Sequence, residues 1–240
     1  MTKLARFFFA AVLASAGVCY AGQAASRGER FEVSAIKAVR PTLVNTLAAL
    51  KKGDIARARA AFGAYDSGWN GIEMYINTRD KSMYDELEKN LQGRITKGLA
   101  SANPDVAALT SDAQMMLAKY DEAIGNVEKA APLNPLYDDI ARLRIVRANL
   151  REVTPALKAG DIAKARKSAA AFNGKLGSVD ALIKARSPEA SVTVAKGTAE
   201  LMSALKADKP DTAQVTSLAA GVMEKYNAVV AEITKDARSR

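Results

Sequence analysis

The chain has 240 residues, 49% of them hydrophobic, a formal charge of +9, one cysteine and no histidine. A lone cysteine cannot build a disulfide framework, and the lack of histidine removes the Ser/His/Asp triad, Cys/His zinc sites and histidine-ligated haem. The basic excess carries no nucleic-acid-reading motif, so anionic lipid headgroups, a wall polymer or an acidic protein fit it better than nucleic acid.

Residues 1–24 read as an export signal. Lys3 and Arg6 form a positive n-region, residues 7–18 are an apolar run too short to span a membrane, and small residues place cleavage after Ala21 or Ala24. Cys19 follows Val18, where a lipid-attachment signal needs a small residue, so lipidation is not expected. With the signal removed the chain has no thiol, and the expected location is the periplasm. No later segment has the apolar length of a transmembrane helix.

From there the pattern is helical. A first helix is predicted from Phe31 to Lys51, ended by Gly53, and Asp54 is placed to cap a second helix. That second helix carries Ile55, Phe62, Trp69 and Ile76 seven apart, with Ala58, Tyr65 and Ile72 between them, which is the a/d seam of a bundle helix. A third helix is predicted over residues 82–99. A fourth follows Pro104 and runs through Leu109, Ala113, Leu117, Tyr120 and Ile124. Residues 131–135, Ala-Pro-Leu-Asn-Pro, form a boundary.

The same plan then repeats. Gly53-Asp54-Ile55-Ala56-Arg57-Ala58-Arg59 returns 107 residues later as Gly160-Asp161-Ile162-Ala163-Lys164-Ala165-Arg166. The seam returns as Ile162, Ala169, Leu176 and Ile183, with Ala165, Phe172 and Val179 between. The offset is 106 by Leu99/Leu205 and Tyr120/Tyr226, which implies a one-residue length difference near the second or third helix. The expected fold is all-α: a duplicated four-helix unit forming two tandem up-down bundles, residues 25–131 and 132–240, with one continuous helical array as the alternative.

Asp66 and Glu73 lie seven apart beside the seam, and Glu88 on the next helix is placed to approach them, with Asp85, Asp121 and Glu122 as further carboxylates. Clustered carboxylate oxygens suit iron or another divalent cation such as manganese or calcium, and crowding raises their proton affinity when no cation is bound. The plainer reading is that these acids are solvated or paired with Lys and Arg. The second half weakens the set, since Asn173 matches Asp66, Asp180 matches Glu73 and Gly177 matches Asn70. Tyr65 and Trp69 have core positions, whereas Tyr75 and Tyr84 are candidates to line a ligand surface. Gly63, Gly68 and Gly71 are costly inside a helix and point to close approach, bending or ligand room. Lys37 and Arg40 recur as Arg144 and Arg147, and Arg151 adds to this basic face, a candidate contact for a phosphate-bearing surface or acidic partner, or equally a balance for acidic neighbours inside the bundle pair.

The run from Ala61 through Tyr65, Asp66, Trp69 and Glu73, followed by Tyr84 and Glu88, resembles the periplasmic helical region that accompanies bacterial high-affinity iron permeases. The likeness spans about residues 40–127, with a fainter echo over 147–233. Asn70 departs from it, standing where the family pattern is commonly acidic, and the permease's membrane domain with its Arg-Glu-Gly-Glu motifs is absent. The resemblance implies an accessory module that binds or passes iron, or docks on an inner-membrane iron permease.

The expected function is therefore non-enzymatic: a periplasmic binding or accessory protein relaying iron through carboxylates for a transporter. The alternative is an adaptor docking on an envelope protein or anionic surface. An enzyme is disfavoured because di-iron bundles expect Glu-x-x-His pairs and no phosphate-binding glycine loop is present.

Overall fold

The computed structural model describes residues 28–239; the expected signal segment, with Cys19, lies outside them. The described chain is all-α, without a strand. Helices α1 (Phe31–Lys51) and α2 (Ile55–Asn77) are followed by α3 (Lys81–Asp85), a π-helical turn (Glu86–Gln92) and α4 (Gly93–Ala100), which together form the third rod, and then by α5 (Val106–Lys129). The second half comprises α6 (Leu136–Arg151), α7 (Val153–Lys158), α8 (Ile162–Leu176), α9 (Asp180–Arg186), α10 (Pro188–Lys206) and α11 (Thr212–Ser239).

The repeat is physical as well as textual. Gly53 and Gly160 both turn the chain at positive φ, 70° and 72°, a conformation that glycine adopts without steric cost. Asp54 and Asp161 then accept the amides of Arg57 and Lys164 at the N-termini of α2 and α8. Asp105 and Asp211 cap α5 and α11 in the same way. Arg59 holds the carbonyls of Leu99 and Ser101, and Arg166 holds those of Leu205 and Ala207. The buried hydroxyls of Tyr120 and Tyr226 donate to the carbonyls of Ile36 and Leu143 at 2.8 and 2.9 Å.

The structure locates the slip in offset. Asp80 caps α3 and Ser187 caps α10, still 107 apart, yet Leu99 and Leu205 at the far ends are 106 apart. Between them the first half winds through a π-helical turn, whereas α10 is plain α-helix. One extra residue in a helix is accommodated as such a turn. The third helix, expected as one regular rod, is therefore interrupted.

Two other expected helices are broken. Pro155, lacking an amide hydrogen, separates α6 from α7 within the second half's first rod. Gly177-Ser178-Val179 separates α8 from α9, although every seam residue from Ala165 to Ile183 keeps its buried place. Glycine and serine are poor helix formers, and here burial of the stripe outlasts the regular backbone.

The halves meet where α2 packs against α6. A Cβ on Gly71 would lie 2.7 Å from Ile145 Cγ1, and one on Gly68 would lie 2.9 Å from Val39 Cγ2. Gly71 thus lets α6 approach, Gly68 lets α1 approach, and Gly63 faces open space. Tyr75, a candidate ligand-surface residue by sequence, is instead fully buried at this junction, its hydroxyl donating to Asp138 at 2.7 Å. Burial raises the Tyr75 hydroxyl's pKa, and the Asp138 hydrogen bond adds to the rise. The buried apolar residues of both halves form one connected cluster.

Candidate functional site

The sequence-predicted acids gather around an aromatic stack. Tyr65, Trp69 and Tyr84 lie face to face, with ring centroids 5.9 and 6.2 Å apart, and Tyr120 closes the stack from α5. Tyr65 and Trp69 are completely buried seam residues, while Tyr84 is partly exposed. The π-helical turn sets two polar side chains onto α2: Glu88 accepts the indole N–H of Trp69, and Gln92 donates to Asp66 Oδ1 at 2.8 Å. Glu73, two turns along α2 from Asp66, receives Arg144 from α6 at 3.3 Å.

Partial burial raises the carboxyl pKa of Asp66, Glu73 and Glu88. Like charge adds to this, from Glu88 on Glu73 and from Asp66 on Glu88, while Arg144 opposes it at Glu73. Burial also raises the Tyr65 hydroxyl's pKa, and that hydroxyl lacks a hydrogen-bond partner. The three acids share one half-buried neighbourhood, each engaged by a different donor. Among the described residues no three His, Cys, Asp or Glu side chains are grouped so as to hold a metal ion.

The further carboxylates are occupied elsewhere. Asp85 lies between Lys81 and Lys89, Asp121 receives Arg40, and Glu122 receives Lys119. Asn70 donates back to the Asp66 carbonyl along its own helix.

The basic candidates divide into two groups. Lys37 sits between Glu29 and Glu128, and Arg40 forks onto Asp121 at 2.6 and 2.7 Å. These acids hold the Lys37 and Arg40 pKa values above their ordinary ranges. In α6, burial lowers the pKa of both Arg144 and Arg147, and repulsion among Arg144, Arg147 and Arg151 lowers that of Arg147 further. Arg147 donates to the Asn227 side-chain oxygen at 2.7 Å. Both α6 arginines line an open groove of about 500 Å³ against α11, where Asn227, Thr234, Lys235 and Arg238 face them.

Sequence reading picked out the α6 arginines but not the α11 face opposite them. The missed signal was the offset itself, which sets Asn227 opposite Asp121 and Thr234 opposite Glu128 in the two copies. Among the described residues no helix is long and apolar enough to cross a membrane. Comparison with protein families, curated proteins and solved structures returns no match to this chain.

Proposed function

We propose that this chain is a periplasmic, non-enzymatic accessory protein. Its first half captures or relays a cation, iron foremost, through Asp66, Glu73 and Glu88, on behalf of an inner-membrane transporter such as an iron permease. The reading is supported chiefly by two polar contacts of the first half that the second half does not repeat. There the π-helical turn delivers Glu88 and Gln92 to Trp69 and Asp66. The second half has Asn173 and Leu176 at the α2 positions and a regular α10.

Half-buried carboxylates whose proton affinity is raised by burial are also suited to a hard cation, which offsets the cost of their charge. Glu73 would then leave Arg144, and Glu88 would share its oxygens between the ion and the Trp69 N–H. Calorimetry with ferrous iron under anaerobic conditions, manganese and calcium tests this. The wild-type chain is expected to bind, and the combined variant Asp66→Asn, Glu73→Gln, Glu88→Gln to give no heat. Absence of binding by the wild-type chain, or equal binding by the variant, rejects the reading.

The second reading is an adaptor that docks on an envelope protein or anionic surface. It is favoured by the mutual crowding of Arg144, Arg147 and Arg151 on α6, where Arg144 forms an ion pair with Glu73. Lys37 and Arg40 contribute less, since Glu29, Glu128 and Asp121 already neutralise them.

A further inference from the structure

The two halves contain the same pair of cations in two electrostatic states. In the first half Lys37 and Arg40 on α1 face Asp121 and Glu128 on α5, with Lys37 also meeting Glu29. In the second half their counterparts are Arg144 and Arg147 on α6, facing α11. The register across α5 and α11 is fixed by the paired Tyr120–Ile36 and Tyr226–Leu143 hydrogen bonds. In that register Asp121 becomes Asn227, Glu128 becomes Thr234 and, ahead of the helix, Glu29 becomes Leu136. Every acid that neutralises the first pair is replaced by an uncharged residue in the second.

The atoms follow the same logic. Arg40 Nε donates to Asp121 Oδ1 at 2.6 Å, whereas the equivalent Arg147 Nε is buried without a partner. Arg144 Nε is likewise buried and unpartnered among the described residues, and its guanidinium meets Glu73 at 3.3 Å. Lys235 and Arg238 add two more cations to the α11 wall, and Asp236 beside them is engaged by Arg186. The Asn227 oxygen takes one Arg147 donor, and the Thr234 hydroxyl donates to the Val230 carbonyl.

We propose that the α6–α11 groove binds a small multivalent oxyanion, a phosphate- or carboxylate-bearing molecule whose anionic oxygens take the places of the missing Asp and Glu side chains. Guanidinium forks match such oxygens in geometry and charge. The two carboxylate positions lost from the α11 wall, at Asn227 and Thr234, call for more than one anionic group on the ligand. A groove of about 500 Å³ has the size of a small-molecule site. Arg144 links the groove to the first half's acids through Glu73, but titration of the metal-free chain keeps failure of anion binding and failure of the cation reading distinguishable.

The test is titration calorimetry of the full chain with inorganic phosphate and with citrate, alongside sedimentation with phosphatidylglycerol vesicles. The wild-type chain is expected to bind at least one of the two soluble anions with a stoichiometry of one. Asn227→Asp with Thr234→Glu, which restores the first-half pairing, is expected to weaken that binding about tenfold or more. Arg147→Gln, which leaves the α11 wall unchanged, is expected to weaken it as well and covers the case in which the double variant does not fold. The reverse exchange, Glu29→Leu, Asp121→Asn and Glu128→Thr together, is expected to raise the stoichiometry to two, because it removes every acid that meets Lys37 and Arg40. No binding of either soluble anion overturns the proposal, as does binding that is equal in wild type and in folded Asn227→Asp/Thr234→Glu. Binding to vesicles alone overturns it in favour of surface docking.

Discussion

Gly71 faces Ile145 so closely that a methyl group on its Cα would lie 2.7 Å from Ile145 Cγ1 and 3.4 Å from the Ile145 backbone nitrogen. This pair sets the distance between α2 and α6, and so between the two halves. The same contact region holds the Tyr75–Asp138 hydrogen bond and the Glu73–Arg144 ion pair. The glycine at the junction therefore also brings the first half's acids within reach of the second half's arginines.

Gly71→Ala is expected to destabilise the fold by about 1–2 kcal/mol, because overpacking outweighs the gain in helix propensity. Gly63→Ala, where nothing lies within 4 Å, is expected to stabilise it by about 0.5–1 kcal/mol. Urea denaturation distinguishes them. Adding Ile145→Ala to Gly71→Ala removes the clashing atom, so the double variant is expected to lose less than the two single losses combined.

Tyr120→Phe and Tyr226→Phe are each expected to cost about 1 kcal/mol, the contribution of one buried hydroxyl donating to a carbonyl. Comparable losses in denaturant melts would show that both halves use this pin equally. A loss confined to one half would show that the repeated geometry does not carry repeated energy.

Glu88 links stability to pH. Its carboxyl pKa is raised by burial and by Asp66, although the Trp69 N–H pulls it down. The folded chain therefore binds this proton more tightly than the unfolded chain does. The resulting stabilisation is present at acid pH and is lost as pH rises from the ordinary carboxyl value through the raised one. Glu88→Gln still accepts from Trp69 but cannot ionise. Relative to wild type it is expected to gain stability as pH rises above the ordinary carboxyl range, by less than about 1 kcal/mol given partial exposure. Parallel thermal melts across that rise in pH check the sign.

The π-helical turn is the local device that separates the halves. Deleting exposed Asn90 is expected to return the third rod to regular helix, as in α10, and to rotate Glu88 or Gln92 away from α2. Far-UV circular dichroism should be nearly unchanged. The fluorescence of Trp69, the chain's single tryptophan, should shift. An unshifted spectrum would mean that the extra residue does not set the Glu88–Trp69 contact.

Much of the architecture was legible because it is local. Glycine at the turn, Asp54 and Asp161 as caps, prolines at the boundaries and the seven-residue seam each act within a few residues of their own position. The seam predicted burial even where the backbone departs from it: Val179 is buried although α8 has already ended. The acids were legible only as a list. Asp66, Glu73 and Glu88 do share one neighbourhood, but sequence spacing could not tell that Gln92, Arg144 and Trp69 would engage them, because those partners come from other helices. Tyr75 was misread for a related reason. Its place near the end of α2 suggested exposure, and the approach of α6 buried it.

The sequence by itself determined an all-α chain of two copies, because helix propensity, capping and the apolar stripe are written in short-range order. Only the tertiary structure decided which half carries which charge state. The one-residue slip becomes a π-helical turn that aims Glu88 at Trp69. The pairing of α6 with α11 sets Arg144 and Arg147 opposite Asn227 and Thr234, where the first half has acids. Electrostatic balance depends on distances between helices, and those distances are set by contacts such as Gly71 against Ile145, whose partners lie far apart in the chain.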